Sequence, residues 1–183
     1  MSHQMSEALK ISASSLICDN QYLVRSICES DIEMLRSWKN EHKEYFFHKT
    51  EITKAEQTHW YSSFSRRTND HMFVVLDDAN YVGCIGARCL DESVDLYNII
   101  LGDKNYKGKY VMTNALWAVA SLSSLLYKGK PINVRVLKSN PAVNWYKKIG
   151  FILASEETDY VNMNLDCNEI GHKYSFTIEN PSR

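Results

Sequence analysis

The sequence has almost no excess charge of either sign and no long apolar run. Its 21 Lys and Arg residues against 22 Asp and Glu residues give a formal net charge of −1. Nucleic-acid binding depends on clustered positive charge that neutralises phosphates. A membrane-spanning helix needs about 18 or more consecutive apolar residues, and no stretch of the sequence provides them. We therefore expect neither a nucleic-acid partner nor a membrane partner.

The five cysteines lack the number and spacing of a disulfide framework or a zinc site. They are odd in number and scattered along the chain. Cys84 and Cys89 form the nearest pair, but they have neither the CxxC spacing nor a second ligand pair. The first residues, MSHQMSEALK, lack the apolar middle of a secretory signal. These features predict reduced thiols, no metal and a cytoplasmic location.

The length and composition indicate one globular domain. The chain has 183 residues, of which 44% are hydrophobic and 23% charged, without repeats or low-complexity tracts. We place the domain at residues 21–166, after an N-terminal extension at 1–20. A C-terminal tail at 167–183 contains YSFTI (174–178), which predicts one added strand.

The apolar pattern predicts strands followed by helices in mixed order. YLVRSI (22–27) indicates a first strand, and the capping boxes SDIE (30–33) and TKAE (53–56) predict the starts of two helices. A longer amphipathic helix starts at Val111 and ends at Lys128. Further strands are predicted at 72–76, 81–87, 94–101, 132–137 and 160–165. This order predicts an α+β sheet covered by helices.

The stretch KGKYVMTNAL (107–116) predicts an anion site. It joins a strand to the start of a helix, where free N–H groups and the helix dipole attract negative charge. Lys104, Lys107 and Lys109 add positive charge around the turn. The alternative is a solvated connector that binds nothing.

This turn resembles the pyrophosphate motif of the GNAT superfamily of acyl-CoA-dependent N-acyltransferases, commonly Arg/Gln-x-x-Gly-x-Gly/Ala. Ala115 and Leu116 continue the same pattern into the helix. Tyr110 departs from it, because it stands where the motif has a glycine. The resemblance implies that the coenzyme A diphosphate is bound by Lys107, Gly108, Lys109, Tyr110, Val111, Met112 and Thr113.

The stretch SNPAVNWYKKIGF (139–151) resembles the motif near the end of the GNAT core. Its short helix has Asn140 as N-cap, Pro141 in the first turn and Gly150 just past the end. The resemblance implies that Asn140 contributes to cofactor binding and that Tyr146 protonates the leaving thiolate. The alternative is that Tyr146 only packs, with Trp145, against the sheet.

The resemblance also assigns roles to the strand at 94–101. In GNAT folds the backbone N–H groups of the fourth strand hold the thioester carbonyl and the pantetheine arm, which here implies Ile99, Ile100 and Leu101. A carboxylate or a histidine must then accept the amine proton, directly or through water, and Asp95 and Glu92 lie at the start of this strand. His42, His48 and His59 are the alternative bases.

The segment at 35–64 resembles GNAT members that acetylate nucleotide-linked amino sugars. Trp38, Lys39 and Asn40 stand at a Trp-Arg-Asn position, and His59 and Trp60 stand at a His-x-Trp-like position. The resemblance implies that these five side chains contact the acceptor. The alternative is that the tryptophans form the apolar faces of two helices.

Taken over about residues 22–166, the resemblance implies the GNAT fold, a mixed and mostly antiparallel sheet of six to seven strands flanked by four helices. It implies an N-acetyltransferase that uses acetyl-CoA as co-substrate and a small-molecule amine, with a nucleotide-linked amino sugar as the leading candidate. Acetylation of a protein N-terminus or lysine is the alternative within enzymes. A noncatalytic binding module, closed by Tyr110, is the alternative outside them. A homodimer is compatible with all three.

Overall fold

A single mixed β-sheet organises the chain. The computed structural model describes residues 15–18, 22–165 and 176–179, and within them the sheet has nine strands. The remainder of the predicted extension and tail lies outside the described residues. The strands are β1 Ser15–Cys18, β2 Tyr22–Ser26, β3 Asp70–Asp77, β4 Asn80–Cys89, β5 Val94–Leu101, β6 Ile132–Leu137, β7 Phe151–Glu156, β8 Tyr160–Leu165 and β9 Phe176–Glu179.

The strand order is β7-β8-β6-β5-β4-β3-β2-β1-β9. Every pairing is antiparallel except that of β5 with β6, which is parallel. The β5–β6 pairing has only two registered pairs, Val94 with Ile132 and Asp95 with Asn133. Beyond Asp95 the two strands separate, and we call the space between them the β5–β6 gap.

Four α-helices in the described part of the chain cover the two faces of the sheet. On one face, the third helix packs its apolar residues against β3–β6 and β8 in the larger core. On the other face, the first two helices cover β3, β4 and β5 through a smaller core that contains Leu35 and Phe64. The helices are α1 Ile32–Glu41, α2 Lys54–Phe64, α3 Val111–Leu126 and α4 Ala142–Lys148.

The capping predictions for α1 and α2 have different outcomes. At α2 the Thr53 hydroxyl accepts from the Glu56 N–H, and the Glu56 carboxylate accepts from the Thr53 N–H, which confirms the capping box. At α1 the predicted Ser30 cap is wrong. A 3₁₀ turn precedes the helix, and the Asp31 carboxylate accepts from the Cys28 N–H.

Asp31 is turned inward because Arg25 binds it. The guanidinium donates to both carboxylate oxygens at 2.7 and 2.9 Å, and Tyr81 donates at 2.9 Å. Burial opposes ionisation, but these hydrogen bonds outweigh it and lower the Asp31 pKa to about 2. This buried pair ties α1 to β2 and β4.

The architecture confirms the predicted α+β class with a mostly antiparallel sheet and four flanking helices. Residues 22–165 supply seven strands, as expected, and β1 and β9 extend the sheet beyond β2. β9 overlaps the YSFTI stretch for which an added strand is predicted.

Candidate active site

A cleft of about 1260 Å³ opens between α3, α4 and the β5–β6 gap. Its walls combine apolar side chains with the lysine-bearing turn that leads into α3. The lining includes Ile99, Leu101, Lys107, Gly108, Tyr110, Val111, Met112, Thr113, Trp145 and Tyr146. The predicted anion turn, strand and tyrosine therefore meet in one cavity.

The gap exposes backbone donors of β5 to this cleft. Asn98 adopts a left-handed φ of 46°, and β5 carries one extra residue relative to β4 at this point. The Gly102 N–H donates to the Val82 carbonyl on β4. Because N–H directions alternate along a strand, the Ile99 and Leu101 N–H groups point into the gap, whereas that of Ile100 points to β4.

The turn before α3 keeps the backbone shape that an anion site requires. Gly108 and Tyr110 have φ values of 81° and 62°. The first hydrogen bond of α3 joins the Asn114 N–H to the Tyr110 carbonyl at 2.9 Å. The N–H groups of Val111, Met112 and Thr113 precede that bond, so they have no acceptor within the helix. These donors at the start of a 16-residue helix fit a diphosphate.

The Tyr110 side chain lines the cleft but lies mostly in solvent. Its φ and ψ of 62° and −1° lie in the left-handed region that glycine favours. The side chain is 74% exposed. The departure from the glycine motif therefore changes the residue but leaves the left-handed turn intact.

Lysines surround this turn with different partners. Lys107 and Lys109 are exposed, and the Lys109 ammonium lies 4.9 Å from the centre of the Tyr106 ring. Lys104 is bound to Glu41 at 2.7 Å. Lys107 and Lys109, unlike Lys104, have no ion pair in the described part of the chain and can supply positive charge to an anion at the turn.

Tyr146 lies on α4 with its side chain buried at the cleft wall. It is 6% exposed and packs edge-on against Phe151, with ring centres 5.3 Å apart. Burial, with a smaller contribution from the negative charge of Asp95, raises the pKa of Tyr146. The phenol consequently stays protonated and can donate a proton.

Asn140 caps the helix that carries Tyr146. Its side-chain oxygen accepts from the Ala142 N–H at 2.9 Å, and its amide nitrogen donates to the Tyr45 carbonyl at 3.4 Å. The cap fixes the start of α4 and ties it to the loop after α1. Contact between Asn140 and a cofactor stays a prediction.

Asp95 and Glu92 differ in their position relative to the gap. Asp95 forms the last β5–β6 pair, so its carboxylate stands where the strands begin to separate. Burial raises its pKa, and Arg88 and Arg135 oppose that rise without forming an ion pair with it. Glu92 is exposed in the loop before β5. Of the two predicted bases, Asp95 is the one placed to accept a proton from an amine in the β5–β6 gap.

Lys39 and Trp60 share a second cavity of about 210 Å³ between α1, α2 and the sheet. The Lys39 ammonium donates to the Asn98 side-chain oxygen at 2.5 Å and lies 4.8 Å from the centre of the Phe46 ring. Burial lowers the Lys39 pKa. Lys39 thereby connects this cavity to the bulge of β5.

The other predicted acceptor residues lie in different surroundings. The Trp38 ring covers Gly102, where an added Cβ would come within 2.0 Å of it. Asn40 exchanges two hydrogen bonds with the backbone of Ile52 and so holds the loop before α2. His59 is exposed on α2. The structure thus brings two of the five residues, Lys39 and Trp60, into one cavity.

A row of polar residues, of which the sequence analysis named only Asp95, crosses the sheet beside α1 and α2. Asp70, Arg88, Asp95, Asn133 and Asn164 are successive register partners on β3, β4, β5, β6 and β8. Their apolar neighbours along each strand face the larger core, so the row lies on the opposite face. We call this side of the sheet the polar face. Only the pairing register of the strands could have revealed that these polar residues form a row.

Neither a metal site nor a membrane span occurs in the described part of the chain. No three His, Cys, Asp or Glu residues there are arranged to hold a metal ion. No helix among those residues has both the length and the apolar character needed to cross a membrane.

Solved structures with the same fold include enzymes of different specificity. "Apo FdhC- a nucleotide-linked sugar GNAT" shares 17% identity with a TM-score of 0.70, covering 85% of this chain and 92% of that one. Spermidine N-acetyltransferase from Vibrio cholerae, in complex with CoA and spermine, shares 21% identity with a TM-score of 0.68, covering 80% and 96%. The ribosomal L7/L12 alpha-N-protein acetyltransferase RimL, in complex with coenzyme A, shares 13% identity with a TM-score of 0.65, covering 81% and 96%.

Sequence comparison gives the family directly. A search of curated proteins finds no significant match. The family model described as "Acetyltransferase (GNAT) domain" matches residues 22–152, which is more than half of the chain. This chain belongs to the GNAT acetyltransferase family.

Proposed function

We propose that the protein transfers the acetyl group of acetyl-CoA to a primary amine of a nucleotide-linked amino sugar. The cleft beside α3 and α4 takes acetyl-CoA, and the polar face takes the acceptor. The two substrates meet at the β5–β6 gap. The cytoplasmic location inferred from the sequence is part of this proposal.

The cleft provides binding groups for the diphosphate, the pantetheine arm and the thioester of acetyl-CoA. The N–H groups of Val111, Met112 and Thr113 bind the diphosphate, with Lys107 and Lys109 nearby. The Ile99 and Leu101 N–H groups bind the pantetheine arm and the thioester carbonyl. Such donors stabilise the negative oxygen that develops during acyl transfer, commonly by about 3 kcal/mol each.

The reaction needs one proton acceptor and one proton donor. The amine nitrogen attacks the thioester carbon, and the carbon–sulfur bond breaks as the new amide forms. Asp95 accepts the amine proton, directly or through a water molecule, and its raised pKa makes it a better base than an exposed aspartate. Tyr146 gives its phenolic proton to the departing thiolate.

The observation that carries the acceptor assignment is the chemistry of the polar face. Asn133, Asn162 and Asn164 present amide groups suited to hydroxyls and carbonyls. A polyamine would require several free carboxylates, but Asp70 is bound by Arg67, Arg88 and Tyr97. Similarity to a nucleotide-linked sugar GNAT supports the same choice.

Asp95 is then the carboxylate in the row of register partners that is left to receive an acceptor amine. Among the described residues on this side of the sheet, Asp31 is bound by Arg25, and Glu56 closes the capping box with Thr53. Asp95 is thus the one carboxylate of this row without an ion pair, which suits an acceptor with a single reactive amine rather than an extended polycation.

A panel of acceptors tests the proposal. Release of free coenzyme A would be measured with nucleotide-linked amino sugars, the corresponding free amino sugars, spermidine and a peptide with a free N-terminus. Mass spectrometry would identify each acetylated product. We expect the highest kcat/KM, by at least about tenfold, for a nucleotide-linked amino sugar. A higher value for spermidine or the peptide would replace the proposal with a polyamine or protein acetyltransferase.

A further inference from the structure

An arginine on the polar face packs against two aromatic rings. The Arg135 guanidinium lies 5.0 Å from the centre of the Phe47 ring and 5.6 Å from the centre of the Tyr160 ring. The two rings meet edge to face, with centres 5.6 Å apart. Cation–π contacts of this kind orient the guanidinium plane. We call these three residues the arginine clamp.

The N–H groups of Arg135 are available for a ligand. Within the described residues, no carboxylate or carbonyl is bonded to them, and Arg135 and Phe47 are both exposed. Most of the other described arginines are held by acids, namely Arg25, Arg36, Arg67 and Arg88. A guanidinium presents five donors in a planar fork that matches two oxygens of a phosphate. The clamp therefore presents an oriented guanidinium whose donors can bind an anion.

The clamp lies close to the reacting groups. Arg135 is two residues beyond Asn133 on β6, and Asn133 pairs with Asp95. Strand geometry places Arg135 roughly 8 Å from Asp95, two residues along the strand and one strand across. Its positive charge acts on the Asp95 carboxylate. This span suits a sugar ring with an amine on one side and a phosphate on the other.

We propose that the arginine clamp binds the diphosphate of the nucleotide-linked acceptor and so determines its specificity. This inference rests on the proposed function and adds the residue that recognises the nucleotide. Asn162 lies directly across from Arg135 on β8, and its side chain donates to Ser155 at 2.8 Å. The sugar ring then lies between the clamp and Asp95, over Asn133. The coenzyme A diphosphate is held separately, on the α3 side of the sheet.

The test compares Arg135→Ala and Arg135→Lys with the wild-type protein. For a nucleotide-linked amino sugar, we expect Arg135→Ala to raise the acceptor KM about 10- to 100-fold with little change in kcat, because a charged, forked hydrogen bond is lost. Arg135→Lys should recover part of the loss, since it restores the charge without the fork. The KM for the free amino sugar should not change. Arg66→Ala is the matched control, because Arg66 is also an exposed arginine.

Direct binding of a nucleoside diphosphate separates this inference from the proposed function. Calorimetry with uridine diphosphate alone should show binding to the wild-type protein that is at least tenfold weaker in Arg135→Ala. An unchanged acceptor KM in Arg135→Ala, or an equal rise for the phosphorylated and free sugars, overturns the inference while the enzyme still acetylates sugars. Absence of diphosphate binding to the wild-type protein overturns it too. Acetylation of spermidine alone removes the proposed function instead, whatever Arg135 binds.

Discussion

The left-handed conformation at Tyr110 predicts that glycine is preferred over alanine at this position. The ring is 74% exposed, so only about 50 Å² of it is buried, which stabilises the fold by about 1 kcal/mol. Tyr110→Ala loses that burial and keeps the strained backbone. Tyr110→Gly loses the same burial but relieves about 1–2 kcal/mol of left-handed strain, against about 0.5–1 kcal/mol of added chain entropy in the unfolded state.

The comparison of the two variants isolates the backbone contribution, because the loss of the ring is common to both. We expect the free energy of unfolding, measured by urea denaturation, to be about 0.5–1 kcal/mol higher in Tyr110→Gly than in Tyr110→Ala. Both variants should retain a KM for acetyl-CoA within about threefold of the wild-type value, since the diphosphate donors belong to the backbone.

Two results would refute this reasoning. A more stable alanine variant would mean that residue 110 is not left-handed in solution. A rise of more than about tenfold in the acetyl-CoA KM of both variants would mean that the phenol itself binds the diphosphate. Either result would reopen the question of how this turn tolerates a side chain in place of the motif glycine.

The two proton-transfer residues give the remaining predictions. Tyr146→Phe should lower kcat about 100-fold and leave the acetyl-CoA KM unchanged, because it removes only the proton donor; unchanged turnover would exclude that role. Asp95→Asn should lower kcat/KM by a similar factor and remove the acidic limb of its pH profile. That limb should lie above the range of an ordinary aspartate, because burial raises the Asp95 pKa and activity needs the ionised form. Because the pKa of Asp95 is raised, its ionised carboxylate destabilises the folded state at neutral pH. The urea midpoint of Asp95→Asn should therefore not be lower than that of the wild-type protein. A large loss of stability would contradict the raised pKa of Asp95.

Local signals in the sequence predicted much of the fold. Apolar and β-branched residues marked β3, β4, β5 and β8, and strict alternation in INVRVL marked β6. Asn140 and Gly150 marked the two ends of α4. These signals act within a few residues, so they can be read along the chain. The sequence analysis did not predict β7, because its residues 152–156 are all exposed and show no alternation of burial. The predicted Ser30 cap of α1 was wrong because Asp31 is held by Arg25, a residue outside the helix that local sequence signals do not reveal.

The candidate site could be predicted only in part. The turn before α3, Tyr146 and the β5 amides lie in contiguous motifs, and the structure places them around one cleft. The arginine clamp joins residues 47, 135 and 160, which are distant in sequence. The register of β6 with β8 brings Arg135 near Tyr160, and the loop after α1 brings Phe47 to both. In the alternating stretch INVRVL, Arg135 is indistinguishable from an ordinary exposed polar residue. Asn40 lies in a motif that predicted contact with the acceptor. In the structure both its amide nitrogen and its amide oxygen are bonded to the backbone of Ile52 instead.

The central claim is that acetyl-CoA and the acceptor reach the β5–β6 gap from opposite faces of the sheet. A crystal structure with a bisubstrate inhibitor, coenzyme A joined through its sulfur to a nucleotide-linked amino sugar, tests it most directly. We expect the coenzyme A diphosphate at the N–H groups of Val111, Met112 and Thr113, the linking atoms beside Tyr146 and Asp95, and the sugar diphosphate at Arg135. An inhibitor bound wholly on one face, or with its coenzyme A diphosphate away from the start of α3, would contradict the claim.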